Sequence, residues 1–239
     1  MMRVAVTRTL PEADETAARL RAVGFDAVVT PLMQVVPRPF DADLSGAQAL
    51  LFTSINGLRA FAAASPQRDL PVLTVGDATA AAARDAGFHD VRSADGNLEG
   101  LAALAQRSLA PQAGKLVHIA GTHVAGDLVA ALARAGYGAE RRIAFDTIAV
   151  ATLPPALAAP CDAVMFHSAR AAHIYAAFGA PQANQRVAAC LSQAIADAAL
   201  VSPENRDLGR IAWRKLVVAA RPREDALLQA LLASSDASA

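Results

Sequence analysis

The stretch "ALLFTSINGLRAFAAA", residues 49–64, is an apolar run that ends at hydroxyl-bearing residues and then continues with a helical pattern. A near copy, "AVMFHSARAAHIYAAF", occupies residues 163–178. Ser54 and Ser168 hold the same place in the two copies, 114 residues apart. The sequence therefore predicts the same unit twice, a buried strand whose carboxyl end opens a helix.

The repetition extends to both sides of this unit. Residues 3–25, "RVAVTRTLPEADETAARLRAVGF", share their pattern with residues 115–137, "KLVHIAGTHVAGDLVAALARAGY". Both predict a strand, a turn, an amphipathic helix and a terminating glycine. Residues 72–88, "VLTVGDATAAAARDAGF", correspond in the same way to residues 187–201, "VAACLSQAIADAALV". Because the order of units is the same in both halves, we interpret the chain as two diverged copies of one design.

Alternating apolar strands and helices predict an α/β fold, with parallel sheets covered by helices on both faces. Residues 28–40 and 142–155 each combine a β-type run with prolines, which is typical of a crossover between domains. This pattern favours an arrangement in which the first strand–helix unit, residues 3–25, lies in the same domain as the second and third units of the C-terminal half. Two domains formed by consecutive halves remain the alternative.

Composition limits the possible partners. The chain has 239 residues, 54% of them hydrophobic, and its 22 basic and 22 acidic side chains cancel. We therefore expect no nucleic-acid partner and no membrane partner. The N-terminus runs directly into a strand, which predicts a soluble cytoplasmic protein without a signal peptide. Cys161 and Cys190 lack metal-type spacing and are expected to be reduced thiols. A monomer is the default expectation.

The carboxyl ends of parallel strands gather at one edge of a sheet, where ligands bind. The predicted strand ends are small, hydroxylated or glycine-bearing, and each precedes a helix whose free N–H groups could hold a carboxylate or phosphate. Alternatively, the polar residues only cap their helices. Six such ends together favour an anion-binding cleft. They are Thr7-Arg8-Thr9, Thr53-Ser54-Ile55-Asn56, Gly76-Asp77-Ala78-Thr79, Ala120-Gly121-Thr122, His167-Ser168-Ala169-Arg170 and Leu191-Ser192-Gln193.

Common catalytic and cofactor motifs do not fit. "GTHVAGD" lacks the Lys-Ser/Thr of a P-loop, and "GDATAAAARDAG" has too few glycines for a dinucleotide fingerprint. The spacing of His118 and His123 matches no usual metal site, so no metal is predicted. His167 and Ser168 are adjacent in a strand and therefore point to opposite faces, which disfavours a nucleophile–base pair. No residue is singled out as a strong catalytic acid.

Four segments together resemble the uroporphyrinogen-III synthase family over about residues 3–233: "VAVTRTLPEADETAARLRAVGFDAVVTPLMQVVP", "LLFTSINGLRAF", "TVGDATAAAARDAGF" and "DAVMFHSARAAHIYAA". The resemblance implies two similar parallel-sheet α/β domains of flavodoxin-like topology, joined by a two-stranded β connection. Carried over, the first domain is discontinuous, and the implied boundaries are 1–36 plus 152–239 for domain one, 41–146 for domain two, and 37–40 and 147–151 for the connectors.

The resemblance also implies a reaction. Family members cyclise hydroxymethylbilane to uroporphyrinogen III with loss of water and inversion of the last pyrrole ring, in tetrapyrrole and haem biosynthesis, without cofactor or metal. The eight carboxylates of this substrate suit a site of N–H and hydroxyl donors that works by positioning. A non-catalytic binder of a tetrapyrrole or other polycarboxylate is the alternative, since Phe145 stands where the family commonly has tyrosine. A two-lobed periplasmic-type sensor is disfavoured because no export signal is seen.

Site residues follow from the strand ends and the resemblance together. Thr79 falls on the threonine of the family's VG-x-ATA element, so the resemblance implies that it is the catalytic residue and hydrogen-bonds a ring carboxylate or the departing hydroxyl. The family's last repeat commonly reads G-x-T-T-A, whereas this chain has Ser192-Gln193-Ala194-Ile195-Ala196. The expected substrate-binding residues are Thr7, Arg8, Ser54, Asn56, Gly76, Asp77, Gly121, Thr122, Phe145, Ser168, Arg170 and Ser192.

Overall fold

The structure is a computed structural model that describes residues 1–94, 96–124, 126–202 and 209–236. The chain divides into two compact units. The first combines Met1–Gln34 with the chain from Ile148 onward, and the second is Val35–Thr147. The first unit is therefore discontinuous in sequence, whereas the second is one continuous stretch.

Strands and helices alternate along most of the chain. In chain order they are β1 (Arg3–Val6), α1 (Glu12–Ala22), β2 (Asp26–Val29), β3 (Met33–Pro37), β4 (Ala47–Phe52), α2 (Ile55–Ala64), β5 (Val72–Thr74), α3 (Asp77–Asp85), β6 (Val91–Ser93), α4 (Leu98–Ser108), β7 (Lys115–Gly121), α5 (Leu128–Arg134), β8 (Ala139–Ala149), α6 (Pro155–Ala158), β9 (Ala163–Phe166), α7 (Ala169–Ala177), β10 (Val187–Cys190), α8 (Gln193–Ala199), β11 (Lys215–Val218) and α9 (Glu224–Asp236).

The first unit contains a five-stranded sheet of order β11-β10-β9-β1-β2, and all of its neighbouring strands are parallel. Strand β1 pairs with β9, so the N-terminal strand lies within a sheet whose other half comes from the C-terminal part of the chain. Numbered along the chain within this unit, the order is 2-1-3-4-5, the flavodoxin-like order. The predicted exchange of the first strand–helix unit between halves is therefore present.

The second unit contains a six-stranded sheet of order β3-β8-β7-β4-β5-β6. Strands β8, β7, β4, β5 and β6 are parallel neighbours and repeat the order of β2, β1, β9, β10 and β11. The boundary between the units falls within β3 and within β8, which are neighbours in this sheet. The prediction of an α/β fold with two similar, mainly parallel sheets is confirmed.

Each sheet is buried on both faces, as parallel sheets require. In β9, Val164 and Phe166 pack with α7 and α8, whereas Met165 packs with α1 and α9. Strand β4 alternates in the same way between α2 and α3 on one face and α4 and α5 on the other. The residues that follow each strand are therefore anchored by a strand that is packed on both faces.

Local sequence explains why the helices begin and end where they do. Helix α1 has three acidic residues in its first turn and two arginines in its last, which matches the helix dipole. It is followed by Gly24 at φ +90°, a conformation that favours glycine. In α2, a side chain at Gly57 would place its Cβ 2.6 Å from the carbonyl oxygen of Ile119, so glycine allows α2 to approach β7. Among the described residues, no helix is long and apolar enough to cross a bilayer.

Candidate functional site

The second unit has a topological switch point where β4 and β7 lie side by side, because the chain leaves these two strands in opposite directions across the sheet. Strand β4 is followed by Thr53 and Ser54. Ser54 is the N-cap of α2, and its hydroxyl oxygen accepts a hydrogen bond from the N–H of Gly57 at 3.3 Å. Strand β7 ends at Gly121. A hydroxyl-bearing helix start therefore lies next to a glycine strand end.

A cavity of about 760 Å³ opens at this switch point. Among the residues predicted to bind substrate, Ser54, Asn56, Gly121 and Phe145 line it. The N-terminal ends of α4 and α5 also contribute, through their N-cap residues Asn97 and Asp127 and the residues that follow. Further lining residues are Thr53, Val75, Leu98, Glu99, His118, His123, Val124, Gly126, Leu128, Ala131, Arg134 and Thr147.

Phe145 and Gly121 form an apolar part of the cavity wall. Phe145 lies in β8 and is 7% exposed. A methyl group on Gly121 would lie 2.7 Å from two carbons of the Phe145 ring, so the ring packs directly against the glycine. The N–H of Thr122 donates to the carbonyl oxygen of Phe145 at 3.1 Å, which fixes the two strand ends together. The wall can therefore contact a flat apolar ring.

His118, in β7, lies beneath the same cavity. It is 2% exposed, and its Nε2 is 3.2 Å from the hydroxyl oxygen of Thr53. Burial, followed by the nearby positive charge of Arg141, lowers the pKa of His118 to about 4. The imidazole is therefore neutral at neutral pH, and it can donate one hydrogen bond and accept another. Its Nδ1 is buried and has no hydrogen-bond partner among the described residues.

The other predicted residues of this unit are placed differently. Gly76 is the N-cap of α3, Asp77 is its exposed first residue, and Thr79 is 7% exposed in the same first turn. Thr122 has a buried hydroxyl without a hydrogen-bond partner in the described part of the chain. None of these four residues lines the 760 Å³ cavity. Gly76, Asp77 and Thr79 instead follow β5, the strand next to β4.

The first unit has its switch point between β1 and β9. Thr7 follows β1, is fully buried, and donates its hydroxyl hydrogen to the carbonyl oxygen of Met165 at 2.7 Å. Ser168 is the N-cap of α7 and accepts from the N–H of Ala171 at 3.1 Å, and Arg170 is half-buried in the first turn of α7. Ser192 is the N-cap of α8 but makes no capping hydrogen bond with its side chain.

Arg8 is already engaged by an acidic side chain of the first unit. Its Nη1 donates to Oε2 of Glu224, the first residue of α9, at 2.7 Å, and it lies 3.4 Å from the hydroxyl oxygen of Thr16. His167 Nε2 is 3.9 Å from the same carboxylate oxygen. Burial, followed by the positive charge of Arg8, lowers the pKa of His167 to about 3. The imidazole is thus neutral, and the ion pair is that of Arg8 with Glu224.

The two switch points therefore differ in the groups that surround them. Helices α9 and α1 of the first unit correspond in topology to α4 and α5 of the second. The ends of α4 and α5 border an open cavity, whereas Glu224 at the start of α9 binds Arg8. Helix capping partly accounts for the presence of serine at positions 54 and 168, because each hydroxyl oxygen accepts a hydrogen bond from a backbone N–H. Their hydroxyl hydrogens remain available to a ligand.

The sequence does not predict the roles of three residues at these edges. It predicts Thr53 at a strand end but indicates no binding role for it, and it offers His118 only as a potential metal ligand. The available signal is a histidine within the apolar run "LVHIAG". Nothing in the sequence connects Glu224 to Arg8. Among the described residues, no three His, Cys, Asp or Glu side chains are grouped so that they could hold a metal ion.

Comparison with protein families identifies a match over most of the chain. The family described as uroporphyrinogen-III synthase HemD matches residues 14–229, which is most of the chain. No curated protein matches the sequence.

Comparison with solved structures agrees in fold. The uroporphyrinogen-III synthetase of Helicobacter pylori 26695 has a TM-score of 0.67 at 14% identity, with 98% of this chain and 99% of that chain covered. A mutant uroporphyrinogen III synthase from the extremely thermophilic bacterium Thermus thermophilus has a TM-score of 0.56 at 19% identity, with 99% of each chain covered. Both structures share the α/β architecture over essentially the whole chain.

Proposed function

The chain belongs to the uroporphyrinogen-III synthase family, the cyclising lyases of tetrapyrrole biosynthesis, and we propose that it performs this reaction by positioning its substrate, without a strong catalytic acid. The substrate is hydroxymethylbilane, and the product is uroporphyrinogen III with its last pyrrole ring inverted. The observation that carries the proposed mechanism is the 760 Å³ cavity of the second unit, in which the hydroxyl-bearing start of α2 and the starts of α4 and α5 adjoin an apolar wall.

The proposed chemistry requires little from the protein. In the ring that carries the hydroxymethyl group, electrons of the pyrrole nitrogen expel the hydroxyl group, which leaves with the N–H proton as water, so an azafulvene remains. Its electrophilic carbon forms a bond to the substituted carbon of the last ring, which gives a spiro intermediate. The bond from that substituted carbon to the methylene of the preceding ring then breaks. The freed methylene bonds to the unsubstituted carbon of the last ring, whose hydrogen is lost as a proton while the nitrogen of the first ring regains one. A bilane that is not held in this geometry closes end to end. Binding energy used for orientation therefore decides the product.

Within this proposal, hydroxyls and helix starts bind the substrate carboxylates. Ser54 and Asn56 border the cavity beside α2, and Phe145 with Gly121 contacts a pyrrole face. At the sheet edge of the first unit, the proposed substrate-binding residues are Thr7, Arg8, Ser168, Arg170 and Ser192. At the edge of the second unit they also include Gly76, Asp77 and Thr122. Thr79 makes the hydrogen bond that assists loss of the hydroxyl group. We propose that the protein acts as a cytoplasmic monomer.

A coupled assay tests the proposal. Hydroxymethylbilane is generated in situ, the protein is added, the porphyrinogens are oxidised, and the porphyrin isomers are separated by chromatography. The expected result is an excess of the type III isomer that grows with protein concentration. Type I alone at every concentration would overturn the proposal. Thr79→Ala should lower turnover more than Ser54→Ala does, and equal losses would contradict the role given to Thr79.

A further inference from the structure

Thr53 and Ser54 both line the cavity of the second unit, and each hydroxyl oxygen has a hydrogen-bond partner within the protein. Ser54 Oγ accepts from the N–H of Gly57 at 3.3 Å. Thr53 Oγ1 lies 3.2 Å from Nε2 of His118. Which of these two atoms donates depends on the tautomer of the imidazole, and this choice decides what Thr53 can offer to a ligand.

The buried Nδ1 of His118 indicates the tautomer. It has no hydrogen-bond partner among the described residues, and the side chain is 2% exposed. Buried N–H groups without an acceptor are rarer in proteins than acceptors without a donor. The unpaired Nδ1 is therefore the lone-pair nitrogen, and Nε2 carries the hydrogen that is donated to Thr53. The hydroxyl hydrogen of Thr53 is then free, like that of Ser54.

We propose that Thr53 donates a hydrogen bond to one substrate carboxylate, and that His118 is the positioning residue that keeps Thr53 in the donor orientation. This inference rests on the proposed function, because it identifies where one carboxylate of the bilane binds. A carboxylate oxygen accepts an O–H donor, so the free hydroxyl hydrogen of Thr53 matches it. The start of α2, with Ser54 as its N-cap, adds a favourable dipole.

The neutral state of the imidazole fits this role. A charged imidazolium would donate from both nitrogens, but burial and Arg141 lower the pKa of His118 to about 4. The contact between His118 and Thr53 therefore does not titrate between pH 6 and pH 8. Strand β1 of the first unit corresponds to β7, and Val6 holds the position of His118. Val6 pairs with Met165 of β9 in the same way as His118 pairs with Leu51 of β4. The fold therefore accepts an apolar side chain at this place, so replacement of His118 is compatible with folding.

Four variants test the inference, with uroporphyrin III as the binding probe in calorimetric titrations and hydroxymethylbilane as the substrate. Thr53→Val removes the donor and should raise both the Kd of uroporphyrin III and the KM of the bilane about tenfold, as for a lost hydrogen bond to a charged group. His118→Leu should raise both about three- to tenfold. His118→Gln, whose amide can replace Nε2–H, should restore most of the affinity. The double variant His118→Leu/Thr53→Val should be no weaker than Thr53→Val alone.

Matched controls separate positioning from folding. Thr30→Val removes a buried hydroxyl that has no hydrogen-bond partner in the described part of the chain, outside the cavity. It should leave the Kd within twofold. Nitrogen-15 chemical shifts of the His118 ring should show the hydrogen on Nε2. A hydrogen on Nδ1, or additive losses in the double variant, would overturn the inference. Because uroporphyrin binding and the tautomer need no turnover, these results stand apart from failure of the isomer assay.

Discussion

Arg8 and Glu224 are 216 residues apart in the sequence and are joined by a contact of 2.7 Å between Nη1 and Oε2. The pair connects the end of β1 to the first turn of α9, so it ties the N-terminal strand of the first unit to its C-terminal helix. The two side chains are 28% and 17% exposed. Water therefore screens this pair less than it screens an ordinary surface pair.

Glu224→Gln should destabilise the first unit. The substitution keeps the shape of the side chain but leaves the Arg8 charge partly buried without its counter-charge. The expected loss in unfolding free energy is about 1–3 kcal/mol, measured by urea denaturation. Asp225→Asn is the matched control, because Asp225 pairs with Arg223 at 3.4 Å with both side chains mostly exposed. It should cost less than about 1 kcal/mol, and equal losses would contradict the difference in burial.

Arg186 should be among the most sensitive positions of the first unit. It is 0% exposed, and its guanidinium donates to the carbonyl oxygens of Leu157 at 2.9 Å and Ala159 at 2.7 Å. It also donates to the hydroxyl of Tyr175 at 2.8 Å. Arg186→Met leaves buried oxygens without donors and should cost about 3–5 kcal/mol of unfolding free energy. Arg214→Met, on the exposed side of the same region, should cost less than about 1 kcal/mol.

Gly121→Ala should disturb the cavity wall through Phe145. The new methyl group would lie 2.7 Å from the aromatic ring, so the ring must move. We expect a lower kcat/KM in the isomer assay with a smaller change in stability, since the displaced atoms are at the end of a side chain. Phe145→Leu combined with Gly121→Ala should recover part of the loss, because the smaller side chain leaves room for the methyl group. A double variant as weak as Gly121→Ala would contradict this contact.

Phe145→Tyr tests the family difference at the same position. The ring is 7% exposed and borders the cavity, so the added hydroxyl can reach solvent or ligand there. The isomer assay should show kcat/KM within about threefold of the unsubstituted protein, since a hydroxyl that keeps its hydrogen bonds costs little. A severe loss would mean that the tip of the ring is enclosed by protein.

The repeated pattern was sufficient to predict the architecture, because strand–helix units with both faces apolar can form little else than parallel sheets. The position of hydroxyls at strand ends followed from the same pattern, as Ser54 and Ser168 show. The contacts between side chains at the site did not follow from this pattern. Whether Arg8 meets solvent or Glu224 depends on a contact between distant segments, and a local pattern carries no information on it.

Thr53 and His118 illustrate the same limit. Their hydrogen bond links β4 to β7, 65 residues apart, and depends on the strand register that places Leu51 opposite His118. The sequence indicates a polar residue in an apolar strand, but the register decides what it touches. The cavity likewise depends on segments that are distant in sequence, because residues at the starts of α2, α4 and α5 line it together.

Stability should fall with decreasing pH because two imidazoles are buried in the neutral state. Burial, with Arg141 or Arg8 nearby, lowers the pKa of His118 to about 4 and that of His167 to about 3. The unfolded chain has histidine pKa values of about 6.5, so between these values it binds more protons than the folded protein. The contribution is therefore constant above about pH 6.5 and is lost as the pH falls toward 4. At pH 5 the loss is about 2 kcal/mol for each group.

Urea denaturation at pH 7.5 and pH 5 measures this loss within a window in which ordinary carboxylates stay ionised. His118→Leu should reduce the difference between the two pH values by about half, because one of the two protonation events is removed. His89→Gln, at an exposed position, should leave the difference close to that of the unsubstituted protein. A His118→Leu protein that loses as much stability at pH 5 as the unsubstituted protein would show that the pKa of this imidazole is the same in the folded and unfolded states. The ring would then be charged at pH 5 and donate from both nitrogens there, so the lone pair assigned to Nδ1 would be lost on mild acidification.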